Sequence, residues 1–391
     1  MALLLLLVCI VRLRKFPKHY ALNPLLHLCL FVSIYIGLGS FLLKHTVTIA
    51  FNLKINSDSV LNAEFFALLM QILVFLMIVF SRRPNKYKIQ LRRQEYFNVF
   101  MTVSIVILII LTLMVSLKIP PNILLYSRVD AHELYLRNFG SYGLNTILYL
   151  LLVIYALRIY RYNYILFVAL LFLSLVPLVH GSRNLTFALL WVNLFISLSK
   201  KDQLDYRVFL HPAMLGIIFL SGMWFFLRFP DLNVGLVTIL YKFFAEAGNT
   251  AVSLAALLDN SLRVNEQNSL MHLTIMLLPF LKVINTNDYF AHIINDKIIQ
   301  APYSLSANFL AEFYYYFDFI GFFILPIYLL VLSILLERKY LFLYIWSISS
   351  VCVMRVAVRG SMIEAFASAF TYAALIYLLV LLFGVSMRRE L

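Results

Sequence analysis

A short turn between two apolar runs contains the first residue whose chemistry needs an explanation. In LVPLVHGSRNLTFALLW, residues 175–191, Arg183 directly follows Gly181 and Ser182. A guanidinium group keeps its charge in dry surroundings, and its planar fork of donors suits phosphate oxygens. At a membrane boundary such a cation either reaches out to lipid phosphates or clamps the phosphate of a bound substrate. The sequence favours the clamp, with Arg183 as the first candidate.

Two further stretches contain arginines of the same kind. In MRVAVRGSMIEAF, residues 354–366, Arg355 and Arg359 are four residues apart, so a helix would place them on one face. These two cations either pair with acids such as Glu364 or hold an anion, and we favour the anion. The stretch YSRVDAHELYLRNFG, residues 126–140, is either an exposed loop of mixed charge or a further part of the site. Its candidates are Arg128 and Arg137 as substrate contacts and His132 as a base.

The carboxylates that could take a proton lie near an aromatic run. In SANFLAEFYYYFDFIGFF, residues 306–323, Glu312 stands just before a predicted span and Asp318 stands within it. An acid at such a depth is costly unless it is paired or faces a watery cavity. Tyrosines at this place form an aromatic belt or stack against sugar rings. We predict the second role for Tyr314 and Tyr315.

Motifs for other kinds of chemistry are absent from the sequence. It contains no His/Cys/Asp cluster at metal-ligand spacing, no Asp-x-Asp, no Gly-rich phosphate loop and no Gly-x-Ser-x-Gly. We therefore expect chemistry without a metal or another cofactor, in which arginines provide the positive charge.

Helices that span a membrane must position these residues. Of 391 residues, 63% are hydrophobic and 13% are charged, and the mean hydropathy is +0.91. Repeated apolar runs near 20 residues, without the alternation of barrel strands, predict an all-α polytopic membrane protein. About 11 spans are predicted, near residues 1–11, 23–43, 64–81, 98–117, 141–157, 163–180, 184–199, 208–228, 314–336, 341–355 and 362–386.

The distribution of charge gives these spans an orientation. Alternate connections hold 19 of the 32 Lys and Arg residues but only five of the 18 acids. By the positive-inside rule that face is cytoplasmic, with the N-terminus outside and the C-terminus inside. This bias explains the net charge of +14 better than nucleic-acid binding does.

The opposite, outer side contains the larger connections. We divide the chain into N-terminal spans at 1–228, with a short outer loop at 118–140, a large outer loop at 229–313, and C-terminal spans at 314–391. Apolar but interrupted segments in the large loop predict helices that lie on or dip into the interface. The matched inverted halves that often mark a secondary transporter are absent.

Together, these features resemble the Wzy-type O-antigen and capsule polymerases, bacterial inner-membrane glycosyltransferases related to the O-antigen ligases. In that family the span after the long loop often opens with Glu-x-Tyr-x-Asn-Phe-Gly-x-x-Gly. The positions that match are Glu312, Tyr314, Phe317 and Gly321. Tyr316 stands where the Asn would be, and Asp318 stands where the first Gly would be. The O-antigen ligases have a His-Asn pair near this point of the chain. Here only the asparagine, Asn308, is present, which favours a polymerase over a ligase.

The resemblance implies a GT-C-like fold and a specific reaction on the periplasmic side of the inner membrane. A growing glycan on undecaprenyl diphosphate is the donor, and a lipid-linked repeat unit is the acceptor. Arg183 is the foremost candidate for contact with the phosphate or another part of the substrate, and Arg359, Arg355 and Arg137 rank after it. Glu312 is the preferred base, ahead of His132 and Asp318. Membrane lipids are expected partners. The sequence does not decide whether a chain-length regulator protein also binds.

Two other functions remain as alternatives. An O-antigen ligase would use the same fold and donor but transfer the glycan to lipid A core. A flippase or transporter of lipid-linked sugars would need charges inside the spans, whereas the ionisable residues here collect at the outer ends.

Overall fold

Within the residues that the structure describes, the protein is built almost entirely of helices, with one small sheet. The structure, a computed structural model, describes residues 1–41, 55–81, 87–117, 119–120, 128–139, 143–180, 182–201, 210–219, 251–261, 274, 308–336 and 340–389. The helices are α1 Ala2–Lys15, α2 Pro17–Tyr20, α3 Pro24–Phe41, α4 Ser57–Phe80, α5 Gln94–Ser116, α6 Arg128–Phe139, α7 Leu144–Leu157, α8 Asn163–Val179, α9 Asn184–Leu198, α10 at 212–219, α11 Ala251–Asn260, α12 Phe309–Phe317, α13 Gly321–Leu336, α14 Leu341–Arg359 and α15 Met362–Leu382. The strands are β1 Tyr87–Leu91 and β2 Val385–Arg389.

Six of these segments are long and apolar enough to cross a membrane. They are α3, α4, α5, the segment Phe309–Leu332 across α12 and α13, α14 and α15. A seventh is added if α6 and α7, which meet at a bend of 79°, count as one span. The fold is therefore that of a helical membrane protein, and the 11 spans stay a prediction. Of the predicted large loop, only 251–261, residue 274 and the segment from 308 onward lie within the described residues.

The spans differ in how much of their surface other helices cover. Only 17% of the apolar window of α5 is buried, and side chains such as Ile107, Ile110 and Leu111 are exposed. This apolar surface suits contact with lipid. In α14 the buried share is 72%, because this helix packs against α3, α7, α9 and α15. The central position of α14 buries Arg355, near its C-terminal end, and leaves Arg359 half-buried.

Connections that the charge pattern assigns to one face meet each other at that face. Strand β1, in the connection after α4, pairs antiparallel with β2 at the C-terminus, and Tyr344 at the start of α14 donates to the Tyr87 carbonyl. The Nη2 of Arg12 lies 2.9 Å from the Val79 carbonyl oxygen at the end of α4. We call this face the sheet side. The sheet itself was not predicted.

The helix ends at the remaining connections, those that hold fewer Lys and Arg, meet at the opposite face. We call this face the arginine side. The Asn56 amide at the start of α4 donates to Asp259 in the predicted outer loop, at 3.0 Å. The ends of α6, α8, α9, α12 and α14 make the further contacts described below. The alternation of connections is thus consistent with the predicted topology, while its direction relative to the cytoplasm stays a prediction.

Candidate functional site

Two arginines of α14 share one acceptor at the start of α9. The Nη1 of Arg355 lies 2.5 Å from the Asn184 Oδ1, and the Nη1 of Arg359 lies 3.4 Å from the same oxygen. Because a helix turns once in 3.6 residues, the spacing of four places both guanidinium groups on one face of α14. Arg183 precedes Asn184 and stands at the N-cap position of α9. We call these four residues the arginine corner.

Neutral groups hold the Arg355 guanidinium in position. Arg355 is only 4% exposed. Its Nε donates to the Tyr35 hydroxyl at 3.0 Å, and its Cζ lies 4.5 Å from the centre of the Phe187 ring. The hydroxyl, the Asn184 amide and the ring carry no charge, and these three contacts orient the guanidinium group. Guanidinium groups form their strongest hydrogen bonds with anions such as carboxylates and phosphates.

The turn that contains Arg183 belongs to a short hairpin. Helix α9 has 15 residues and α8 has 17. At 1.5 Å per residue these helices rise about 22 and 25 Å, which is less than the ~30 Å hydrocarbon core of a bilayer. When the far ends of the hairpin lie at the sheet-side boundary, its tip is recessed below the opposite boundary. From such a tip the Arg183 side chain has to extend outward to reach the level of a lipid's phosphate groups.

Helix α6 packs on the same hairpin. The buried His180 ring lies 5.4 Å from the Tyr135 ring and 5.9 Å from the Phe139 ring, and its Nδ1 is 2.7 Å from the Val176 oxygen. Arg137 is two residues from each of these aromatics, and therefore on the opposite, exposed face of α6. Arg128 and His132 belong to α6, but their side chains lie outside the described residues.

The Glu312 carboxylate is built into the start of α15. Glu312 is fully buried; the Ser361 hydroxyl donates to its Oε1, and the Met362 amide donates to its Oε2 at 2.7 Å. The Ser361 Oγ in turn accepts from the Glu364 amide at 3.1 Å, which is an N-cap contact. A carboxylate is favourable at a helix N-terminus, where backbone N–H groups lack partners. Glu312 therefore anchors the turn directly after Arg359.

The break between α12 and α13 has a backbone that normally requires glycine. Asp318 has φ +55° and ψ −150°, a region that is essentially restricted to glycine. A Cβ on Gly321 would clash with the Phe313 carbonyl oxygen, so any larger residue there would force the helices apart. These are the two positions at which the polymerase motif has glycine. Asp318 adopts this backbone conformation at a cost in strain.

The tyrosines proposed to stack on sugars are packed inside the protein. Tyr314 is 1% and Tyr315 is 4% exposed. The Tyr314 ring lies 5.5 Å from the Phe319 ring and 5.9 Å from the Phe322 ring. Their described contacts are those of core aromatics. Asn308, the residue shared with the ligases' motif, caps α12 by accepting from the Ala311 amide.

Sequence reasoning missed three neighbours of the arginines. Asn184, Tyr35 and Phe187 carry no charge and lie in or beside apolar runs, so a search for charged groups does not find them. One signal was available, since Ser33, Tyr35 and Gly37 interrupt the apolar character of the second run. That stretch forms a π-helix, Val32–Leu38, a feature that is frequent at functional sites.

The described residues contain no group of three His, Cys, Asp or Glu side chains that could hold a metal ion. Comparisons with protein-family models, with curated proteins and with solved structures give no match to this chain. The fold and the site together define a helical membrane protein with cations clustered at one set of helix ends.

Proposed function

We propose that this chain is a membrane glycosyltransferase that polymerises oligosaccharide repeat units on undecaprenyl diphosphate. Its product would be O-antigen or a similar surface polysaccharide, made at the periplasmic face of the bacterial inner membrane. The observation that best supports this proposal is the arginine corner, where Arg355 and Arg359 converge on Asn184 beside Arg183. The resemblance of the chain to the Wzy-type polymerases agrees with it.

In the proposed reaction the arginines act on the leaving group. The acceptor hydroxyl oxygen bonds to the anomeric carbon of the donor glycan, and the bond from that carbon to the diphosphate oxygen breaks. The diphosphate leaves with the electron pair, and the hydroxyl proton passes to a base. Cations fixed where the negative charge develops lower the barrier, since they need no reorganisation. Arg183, Arg355 and Arg359 have the charge and donor geometry for this role.

The surroundings of Glu312 support a positioning role in this reaction. Both of its carboxylate oxygens accept hydrogen bonds from the start of α15, one residue beyond Gly360. The turn that they hold follows Arg359 directly. Glu312 would then fix the arginines in place, and the proton acceptor would be His132 or Asp318.

The test is the length of surface glycan on a gel, in a strain that lacks this gene. Wild type should restore a ladder of long chains, whereas Arg183→Ala should leave core plus one repeat unit at unchanged protein abundance. Arg161→Ala is the matched control, because Arg161 forms an exposed ion pair with Glu95 on the sheet side. That variant should restore the ladder.

Two outcomes would contradict this proposal. Long chains in the Arg183→Ala strain would mean that Arg183 does not bind the leaving group. Loss of all attached glycan in the deletion strain, including the single unit, would indicate a ligase or a flippase.

A further inference from the structure

A cavity of about 960 Å³ lies beside the arginine corner. Its walls come from α1, α3, α4, α9 and α10, and most of the lining is apolar. Representative side chains are Leu68 of α4, Trp191 of α9 and Ile217 of α10. The volume is at the upper end of the ~300–1,000 Å³ typical of ligand pockets. The apolar walls exclude a bare sugar or a free phosphate as the main occupant, because the polar groups of either would lack partners.

The cavity is next to the buried cation. Tyr35 and Phe187 line it, and these same residues contact Arg355, through a hydrogen bond of 3.0 Å and a ring contact of 4.5 Å. A molecule in the cavity therefore has apolar walls along its length and a guanidinium group behind one wall.

The wall formed by α3 is the π-helical stretch. A Cβ on Gly37 would lie 2.5 Å from the Ala2 Cβ and 2.9 Å from the Gln71 Oε1, so α1, α3 and α4 meet closely at this point. This contact fixes one side of the cavity. Glu64 of α4 also lines it. Because its carboxylate repels phosphate, an anionic group would be directed to the wall backed by Arg355.

We propose that this cavity receives the hydrocarbon chain of an anionic lipid whose phosphate contacts Arg355 and Arg359. The inference rests on the proposed function, and it adds a binding site for the lipid part of the substrate. In a bilayer the surroundings are as apolar as the cavity, so the chain gains little hydrophobic free energy on entering it. The cavity instead selects for shape, and the phosphate–arginine contact supplies the affinity. An isoprenoid diphosphate and a phospholipid share this chemistry.

Lipid retention by the purified full-length protein in detergent micelles, measured by native mass spectrometry, tests the inference. The probes are undecaprenyl diphosphate and phosphatidylglycerol. Leu68→Trp fills part of the cavity and should weaken retention of undecaprenyl diphosphate at least fivefold. Leu69→Trp is the matched control, because Leu68 and Leu69 are both 44% exposed on α4 but only Leu68 lines the cavity. Retention by this control should equal that of wild type.

The outcomes separate this inference from the proposed function. If Leu68→Trp retains both lipids like wild type while Arg359→Gln weakens retention, the cavity inference is wrong and the arginine corner stands. If wild type retains only phosphatidylglycerol and Leu68→Trp weakens that retention, the cavity holds a lipid chain and the proposed substrate is wrong. Retention of neither lipid overturns both. If Leu68→Trp misfolds, Ile218→Trp fills the same cavity from α10.

Discussion

At the scale of single residues, substitutions of Glu312 can distinguish a positioning residue from a catalytic base. Glutamine keeps its size, can accept from the Met362 amide through its oxygen and can donate to the Ser361 Oγ. As a positioning residue, Glu312→Gln should therefore retain most of the glycan ladder. Glu312→Ala leaves two buried donors without an acceptor, which costs about 1–3 kcal/mol for each donor. The unfolding temperature of the purified Ala variant should fall accordingly.

The same pair of variants can contradict this assignment. If Glu312→Gln unfolds at the wild-type temperature but gives no polymer, the carboxylate acts as the base. The glycan gel and the thermal unfolding curve are both needed, because either alone would confuse loss of chemistry with loss of the fold.

The residues of the arginine corner show which parts of the site can be predicted from the sequence and which cannot. That Arg355 and Arg359 share a face follows from helical spacing, which is a local property. Their common acceptor Asn184 is 171 residues from Arg355, and Tyr35 is 320 residues away. No periodicity links positions so distant, so only the packing of α3, α9 and α14 reveals them. The burial of Glu312 was hidden for the same reason, since its partners begin another helix.

At the scale of elements, the break between α12 and α13 contains strain that can be measured. Asp318→Gly should release it, because glycine adopts φ +55°, ψ −150° without steric cost. Asp318→Ala removes the same carboxylate but keeps the strained backbone. We expect the Gly variant to be more stable than the Ala variant by about 1–2 kcal/mol, part of the ~1–3 kcal/mol of strain being offset by the flexibility of glycine in the unfolded chain.

Chemical or thermal unfolding of the two purified variants, compared side by side, measures this difference. Equal stability, or a less stable Gly variant, would contradict the strain. The comparison is informative because the Asp318 side chain has its own interactions, and both variants lose them equally.

The lengths and pairing of elements explain which parts of the fold were predictable. Long apolar helices such as α4 and α5 follow from composition alone. The shorter α8 and α9 have the same apolar signal and were predicted as spans at 163–180 and 184–199; the structure gives them 17 and 15 residues, and their crossing of the membrane stays a prediction. Strands β1 and β2 have five residues each and lie in charged segments that are far apart in the chain, with Gln90 and Ser386 separated by 296 residues. Their pairing depends on tertiary proximity, which short windows of sequence do not contain.

At the scale of the whole molecule, the two faces decide where any chemistry takes place. The sheet side joins connections rich in Lys and Arg, and the arginine side joins the ends that contain Asn184, Arg359 and Glu312. The six apolar segments that fit a span separate these faces. A lipid-linked substrate in the outer leaflet reaches the arginine corner only if the arginine side faces the periplasm.

Cysteine labelling measures this orientation directly. Cys9, Cys29 and Cys352 are buried, so the native background should be low. Ser57, at the start of α4 on the arginine side, and Ser386, in β2 on the sheet side, are both exposed. A maleimide that passes the outer membrane but not the inner membrane should label Ser57→Cys in intact cells. By the positive-inside rule, Ser386→Cys should be labelled only after the inner membrane is opened. The reverse pattern would place the arginine corner in the cytoplasm and exclude polymerisation on the periplasmic side.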